Sequence, residues 1–149
     1  MPVRQFSSRA FRAAVLGAAL AGFGAAPALA EDAPKRIGVE LNAVAATDKA
    51  CRLSFLVEND LDVAIDDLAL ELVLFDKDGR VDRFVVVRTG RLPLAKRRVK
   101  QFDVPEVKCD SIGSVLVNDV SECTGPGLDA TVCLDRLAIS SRAAIGFSS

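Results

Sequence analysis

The chain has 149 residues, of which 50% are hydrophobic and 26% charged, and its formal net charge is −1. This length suits one small domain with an appendage. The sequence contains no His, Trp or Tyr. These absences exclude Ser-His and Cys-His catalysis and His-ligated metal sites, and they remove two aromatic residues that dominate binding hot spots. We therefore expect a protein that is not an enzyme and uses no cofactor or metal.

Residues 1–30 have the pattern of a secretory signal peptide. The segment begins with a basic region that contains Arg4, Arg9 and Arg12. An apolar stretch over 13–23 follows, and Ala28-Leu29-Ala30 provides a small-x-small cleavage site. The alternative, an uncleaved membrane anchor, is disfavoured because Ala and Gly fill most of the segment. We expect cleavage before Glu31 and a soluble, periplasmic or secreted product without a stable membrane anchor.

The charge left after cleavage limits the expected partners. Residues 1–30 hold three arginines and no acids, so 16 basic and 20 acidic residues remain on 31–149, a net charge of −4. Nucleic-acid and anionic-membrane binders usually present a net basic surface. We expect no nucleic-acid partner, and predict an envelope protein or a polyanion, with the oligomeric state left open.

All four cysteines follow the signal segment, and an even number in an exported chain predicts two disulfides. Turn residues over 124–128 favour a local Cys123–Cys133 bridge, which leaves Cys51 to pair with Cys109. A zinc site is the weaker alternative, because no C-x-x-C pair and no His are present.

Along residues 31–149, apolar runs recur at roughly ten-residue spacing, which is typical of a β-sandwich. Six strands are predicted, at 37–45, 51–58, 65–75, 81–88, 97–104 and 112–120. The inward residues of the fifth run break period two, which predicts a bulge between Val99 and Phe102. After Cys133 the pattern is weaker, and we expect a short turn and then an edge strand.

Two acidic segments between these runs each have two interpretations: a solvated turn or loop, and a metal-binding site. Asp76-Lys77-Asp78-Gly79 is expected to form a hairpin turn, since its Gly comes too early for a calcium loop. A second group precedes and begins the third strand: Asp60, Asp62, Asp66 and Asp67. Oxygen ligands of this kind can hold a divalent cation, but a solvated loop is the favoured interpretation.

About seven strands in this order predict an immunoglobulin-like β-sandwich as a single domain over 31–149. In that fold the second and sixth strands lie in opposing sheets and run in the same direction. Cys51 opens the second strand and Cys109 lies just before the sixth, so this topology brings the two cysteines within bridging range. The fold and the disulfide pairing support each other.

Several short motifs resemble those of a known group. Phe55-Leu56-Val57-Glu58-Asn59, the hairpin 72–79, Gly90-Arg91-Leu92-Pro93 and Phe102-Asp103-Val104 follow the order of small exported bacterial immunoglobulin-like domains of the adhesion-related type. Ser7-Ser8-Arg9-Ala10-Phe11 resembles the twin-arginine export motif, with Ser8 at the position of the first arginine. Taken with the signal peptide and the four cysteines, the whole chain is similar to a group of secreted proteobacterial proteins with twin-arginine-like signal peptides. The resemblance implies a fold and a compartment, and no activity.

A basic cluster is the main candidate site in this otherwise acidic chain. Its eight members are Arg80, Arg83, Arg88, Arg91, Lys96, Arg97, Arg98 and Lys100. The favoured interpretation is solvated faces and edge-strand charges that prevent edge-to-edge pairing. We also expect Phe84 and Phe102 to lie in the core.

The predicted function is a non-enzymatic, monomeric or weakly associating binding or structural module of the bacterial cell envelope. The alternative is an anion-binding envelope protein. The residues assigned to that site are Arg83, Arg88, Arg91, Arg97 and Arg98.

Overall fold

Eight β-strands, one 3₁₀ turn and one short helix make up the regular structure of residues 35–149, the part of the chain that the computed structural model describes. The strands are β1 (Ile37–Ala46), β2 (Ala50–Asn59), β3 (Asp67–Asp76), β4 (Val81–Arg88), β5 (Arg97–Pro105), β6 (Ile112–Thr124), β7 (Leu137–Ser141) and β8 (Gly146–Ser148). The 3₁₀ turn covers Cys109–Ser111, and the helix α1 covers Ala130–Asp135. The predicted signal peptide and its cleavage site lie outside the described residues.

The strands form two four-stranded sheets, in the orders β5-β2-β1-β7 and β4-β3-β6-β8. Pairing is antiparallel throughout, except that β7 runs parallel to β1 and β8 runs parallel to β6. The chain therefore forms an all-β sandwich, as the sequence predicts, but with eight strands instead of about seven. The additional strand arises because residues 142–145 carry the chain from one sheet to the other.

The core lies between the sheets, where the alternating residues of the central strands meet. On β2, Leu53, Phe55 and Val57 are buried, and Phe55 packs against Phe102 and Phe147 with ring centroids 6.0 and 5.5 Å apart. β3 faces them with four leucines at every second position: Leu68, Leu70, Leu72 and Leu74. Period-two alternation thus places one apolar face of each sheet inward, as β-strand geometry requires.

Both predicted disulfides are confirmed. Cys51 at the start of β2 is bonded to Cys109 in the 3₁₀ turn, with their Cα atoms 4.9 Å apart. Cys123 on β6 is bonded to Cys133 on α1, with a Cα separation of 6.4 Å. These two bridges pair all four cysteines of the sequence. Two disulfides indicate an oxidising, non-cytoplasmic environment.

Two predictions about individual strands are wrong. β5 pairs with β2 residue by residue, without a shift between Val99 and Phe102, so the predicted bulge is absent from this pair. Phe102 is partly buried against the core, but Phe84 on β4 is 61% exposed. Lys100 explains the first error: it faces inward opposite Phe55, and its flexible stem carries the charge out to solvent at the sheet edge.

Local polar contacts fix the turns. In the predicted hairpin between β3 and β4, the Asp76 carboxylate accepts hydrogen bonds from the N–H groups of Asp78 and Arg80 at 2.9 Å, and Gly79 adopts a φ of 76°. Gly tolerates this left-handed conformation because it lacks a Cβ. The 76–79 segment is therefore a hairpin turn, as expected.

Buried Asn59 joins two loops at the end of β2. Its Nδ2 donates to the carbonyl oxygens of Val63 and Leu92, and its Oδ1 accepts from the N–H of Leu61, each at 3.0 Å. All its side-chain polar atoms are satisfied, which makes its complete burial tolerable. The loop after β2 and the loop after β4 are thereby tied together.

Candidate interaction surface

The basic cluster is divided between the two sheets. Arg83 and Arg88 lie on β4, the edge strand of one sheet, whereas Arg97 and Arg98 lie on β5, the edge strand of the other. Arg91 lies in the loop between them. Arg83 links the two edges, because its Nη1 donates to the Pro105 carbonyl at 3.0 Å.

Four of the five arginines assigned to an anion site already pair with carboxylates. Arg83 contacts Asp82 at 2.8 Å, Arg91 contacts Asp66 at 3.9 Å, and Arg97 contacts Glu58 at 3.0 Å. Arg88 pairs with both Asp67 and Glu122. The hydrogen bond to Glu122, followed by that to Asp67, raises the pKa of Arg88. These pairs neutralise much of the local positive charge.

Three members of the basic cluster form no ion pair within residues 35–149: Lys96, Arg98 and Lys100. Arg98 and Lys100 are the two of these that lie on β5. They lie opposite the buried residues Val57 and Phe55 and so face the inner side of β5 at the edge of the sandwich. Inward-pointing charges on an edge strand oppose pairing with another strand. This position suits the edge-protecting role that the sequence favoured for the cluster.

Three of the four acidic residues before and at the start of β3 are likewise engaged individually, whereas Asp60 forms no ion pair within residues 35–149. Asp62 pairs with Lys35, and Asp66 and Asp67 pair with arginines that follow them in the chain. In the part of the chain that the structure describes, no group of three Cys, Asp or Glu side chains has a geometry that could hold a metal ion.

β4 presents a free backbone edge. The Thr89 N–H donates to the Leu68 carbonyl, so by alternation the backbone groups of Val87 and Val85 also face β3. The N–H and C=O groups of Phe84, Val86 and Arg88 then point away from the sheet. Among residues 35–149, no strand pairs with this side of β4.

An apolar strip adjoins this edge on the outer face of the sheet. Phe84 lies opposite Val73 on β3, and Val73 lies opposite Leu116 on β6, so the three side chains form a row across three strands. Val86 shares the outer face of β4 with Phe84, and the two are 58% and 61% exposed. We call these four residues the apolar strip; Val73 is buried, and Phe84 and Val86 are the exposed members that lie next to the unpaired backbone groups.

The other three sheet edges are less suited to pairing. β5 carries Arg97, Arg98 and Lys100, while β7 has five residues and β8 has three. Short or charged edge strands resist strand addition. β4 has eight residues, and between Asp82 and Arg88 its outer face carries two exposed apolar side chains, Phe84 and Val86. It is therefore the edge best suited to accept another strand.

The sequence did not identify this surface. The β-branched run of β4 predicts a strand, and Phe84 and Val86 occupy alternate positions that place them on one face. Periodicity does not reveal that β4 would be an edge strand or that its outer face would remain uncovered. The alternation of Phe84 and Val86 was the available signal, but Phe84 was expected to lie in the core.

These features define a class: an all-β, two-sheet protein with two disulfides and one open apolar edge. No family model matches the chain, and no curated protein matches it. Among solved structures, the fold is similar to that of IrmA from Escherichia coli, with a TM-score of 0.55 and 14% sequence identity over 71% of this chain and 92% of that one. This likeness shows a shared fold. None of the helices in residues 35–149 is long and apolar enough to cross a membrane.

Proposed function

We propose that the protein is a non-enzymatic binding module of the bacterial cell envelope that accepts an extended polypeptide strand along β4. The observation that carries this proposal is the 61% exposure of Phe84 beside the free backbone groups of the same strand. Strand addition derives affinity from main-chain hydrogen bonds and specificity from alternate side chains. β4 offers both.

The location and fold type form part of the proposal. Two disulfides support an exported protein, and the signal pattern in residues 1–30 supports a periplasmic or secreted destination. An immunoglobulin-like type is supported by β2 and β6 lying in opposite sheets and by the Cys51–Cys109 bridge. Two strand pairs, β1 with β7 and β6 with β8, are parallel, which distinguishes this sandwich from one in which all strand pairs are antiparallel.

Site-specific photocrosslinking in the exporting cell tests the binding surface. A benzophenone amino acid replaces Phe84, and the matched control replaces Val99, which is 67% exposed on the edge strand of the other sheet. We expect a discrete protein adduct from position 84, and that adduct should disappear when Val86→Asp is added. Equal adducts from both positions, or none from position 84, would refute binding along β4.

Salt separates this proposal from the anion-binding alternative, which is favoured by Arg98 and Lys100 because they form no ion pair within residues 35–149. The adduct from position 84 should persist between about 0.05 and about 0.5 M NaCl, because hydrophobic contact and main-chain hydrogen bonds are weakly screened. An anion bound by the basic cluster should instead dissociate steeply over this range. Loss of the adduct at the higher salt concentration would favour the anion-binding alternative.

A further inference from the structure

We propose that a second copy of this chain occupies the free edge of β4, in an antiparallel two-fold pair that places Phe84 of each copy opposite Val86 of the other. The two β4 strands then join two four-stranded sheets into one sheet of eight strands. This inference rests on the proposed function, because it names the occupant of the same edge. It also rests on the match between the backbone groups and side chains of β4 and those of a second β4 strand that runs antiparallel to it.

The backbone permits this pairing. Antiparallel strands exchange two hydrogen bonds between residues whose N–H and C=O groups face each other. Phe84 and Val86 both turn these groups toward the open edge, so each of the two symmetry-related Phe84–Val86 pairs contributes two main-chain hydrogen bonds. The N–H and C=O groups of Phe84 and Val86, which lack a strand partner in a single copy, are hydrogen-bonded when two copies associate.

Side chains favour one register over the two adjacent ones, in which outward-facing backbone groups also meet. If Phe84 lay opposite itself, Val86 would face Asp82; if Val86 lay opposite itself, Phe84 would face Arg88. With Phe84 opposite Val86, apolar residues meet apolar residues, and Asp82 meets Arg88 twice. Cross-strand pairs of matched character stabilise a sheet, whereas mismatched pairs do not.

Arg88 retains the donors that this charged pair requires. Its contacts with Asp67 and Glu122 both use Nη1, so Nε and Nη2 remain available, and the side chain is 52% exposed. Asp82 is 44% exposed on the same strand. In the proposed register each Asp82, whose carboxylate also accepts from Arg83 Nε at 2.8 Å, lies directly across from Arg88 of the other copy.

The contact involves a single strand from each copy and is therefore small. Small interfaces are generally weak, and we expect a dissociation constant on the order of 100 μM. Association at this strength allows another polypeptide strand to displace the second copy from β4.

A cysteine scan along β4 tests the register. Only the proposed pairing places Val85 opposite itself, at a non-hydrogen-bonded position where Cα atoms are about 4.5 Å apart and a disulfide can form. We expect Val85→Cys protein, recovered from exporting cells with both native disulfides verified by peptide mapping, to form a covalent dimer at least about tenfold faster than Phe84→Cys or Val86→Cys protein. Faster dimer formation at either flanking position would overturn the register.

Sedimentation equilibrium tests the association itself. Unmodified protein should show self-association, which Phe84→Asp should abolish and the control Val99→Asp should leave unchanged. A monomer at concentrations near 1 mM, or equal effects of the two substitutions, would overturn the second-copy inference. The photocrosslinking result would distinguish the two failures, since an adduct of Phe84 with a different protein leaves the proposed function intact.

Discussion

The substitution Asn59→Asp offers a sharp test of how the loops beside β4 are held. Asn59 Nδ2 donates to the carbonyl oxygens of Val63 and Leu92, both at 3.0 Å, in a completely buried site. A carboxylate at this position directs an oxygen at both carbonyls and leaves each without its donor. Each unsatisfied buried group costs about 1–3 kcal/mol, so we expect the free energy of unfolding to fall by about 4 kcal/mol near pH 7.

The loss should depend on pH in a defined direction. Burial and the two facing carbonyls raise the folded-state pKa of the new carboxyl above its unfolded value of about 4. The folded state then binds the proton more tightly than the unfolded state. The deficit relative to the unmodified protein therefore grows as the pH rises from about 4 through the raised pKa, and then becomes constant. Near pH 3 the protonated group can donate to one carbonyl, and the deficit should fall to about 2 kcal/mol.

Urea unfolding of the variant and the unmodified protein at the two pH values measures this difference. Asn42→Asp is the control, because Asn42 is exposed and its amide bonds only to Glu40; its deficit should be below about 1 kcal/mol at both pH values. A deficit for Asn59→Asp that is equal at the two pH values, or as small as that of the control, would refute the assignment of Asn59 as the buried link between the loops.

Three further predictions concern covalent, backbone and electrostatic features. Replacing Cys51 and Cys109 by Ala should lower the free energy of unfolding by about 4 kcal/mol, and replacing Cys123 and Cys133 by Ala should lower it by about 3 kcal/mol. The first loss is larger because that bridge closes a loop of 58 residues and the second a loop of 10. Denaturant unfolding in which the second pair costs more would contradict this dependence on loop length. Ala95→Gly should stabilise the protein by about 0.5–1 kcal/mol, since Ala95 holds a φ of 50°; a lower melting temperature would contradict this. The Arg52 guanidinium lowers the pKa of Asp103, so its stabilising effect is present above the unfolded pKa and lost as the pH falls through the folded one. Arg52→Met should raise that pKa in a carboxyl-carbon NMR titration, and an unchanged pKa would exclude the ion pair as its cause.

Local patterns in the sequence determine much of this fold. The alternation of Leu53, Phe55 and Val57 identifies β2 and its buried face. The positions of Cys51 and Cys109 relative to two predicted strands also indicate the correct bridge. These features follow from period-two geometry and from the order of strands, both of which can be inferred along one chain.

Features that depend on the neighbours of a strand could not be predicted in this way. Arg88 meets Glu122 because β4 and β6 flank β3, and the register across three strands decides that contact. Phe84 is exposed because nothing in the described chain covers the outer face of β4, and periodicity alone does not distinguish a covered face from an open one. The candidate surface was missed for this reason.

The parallel pair of β1 and β7 imposes an order on folding. Ile37 pairs with Leu137, one hundred positions later, and β8 completes the other sheet later still. A chain that is synthesised or translocated from its N-terminus must therefore hold β1 and β6 open along one side until residues 137–148 arrive. Long-range pairs of this kind form slowly. Cys109 is available well before them, so the bridge to Cys51 can join the two half-built sheets during the interval in which unpaired edges are most prone to aggregate.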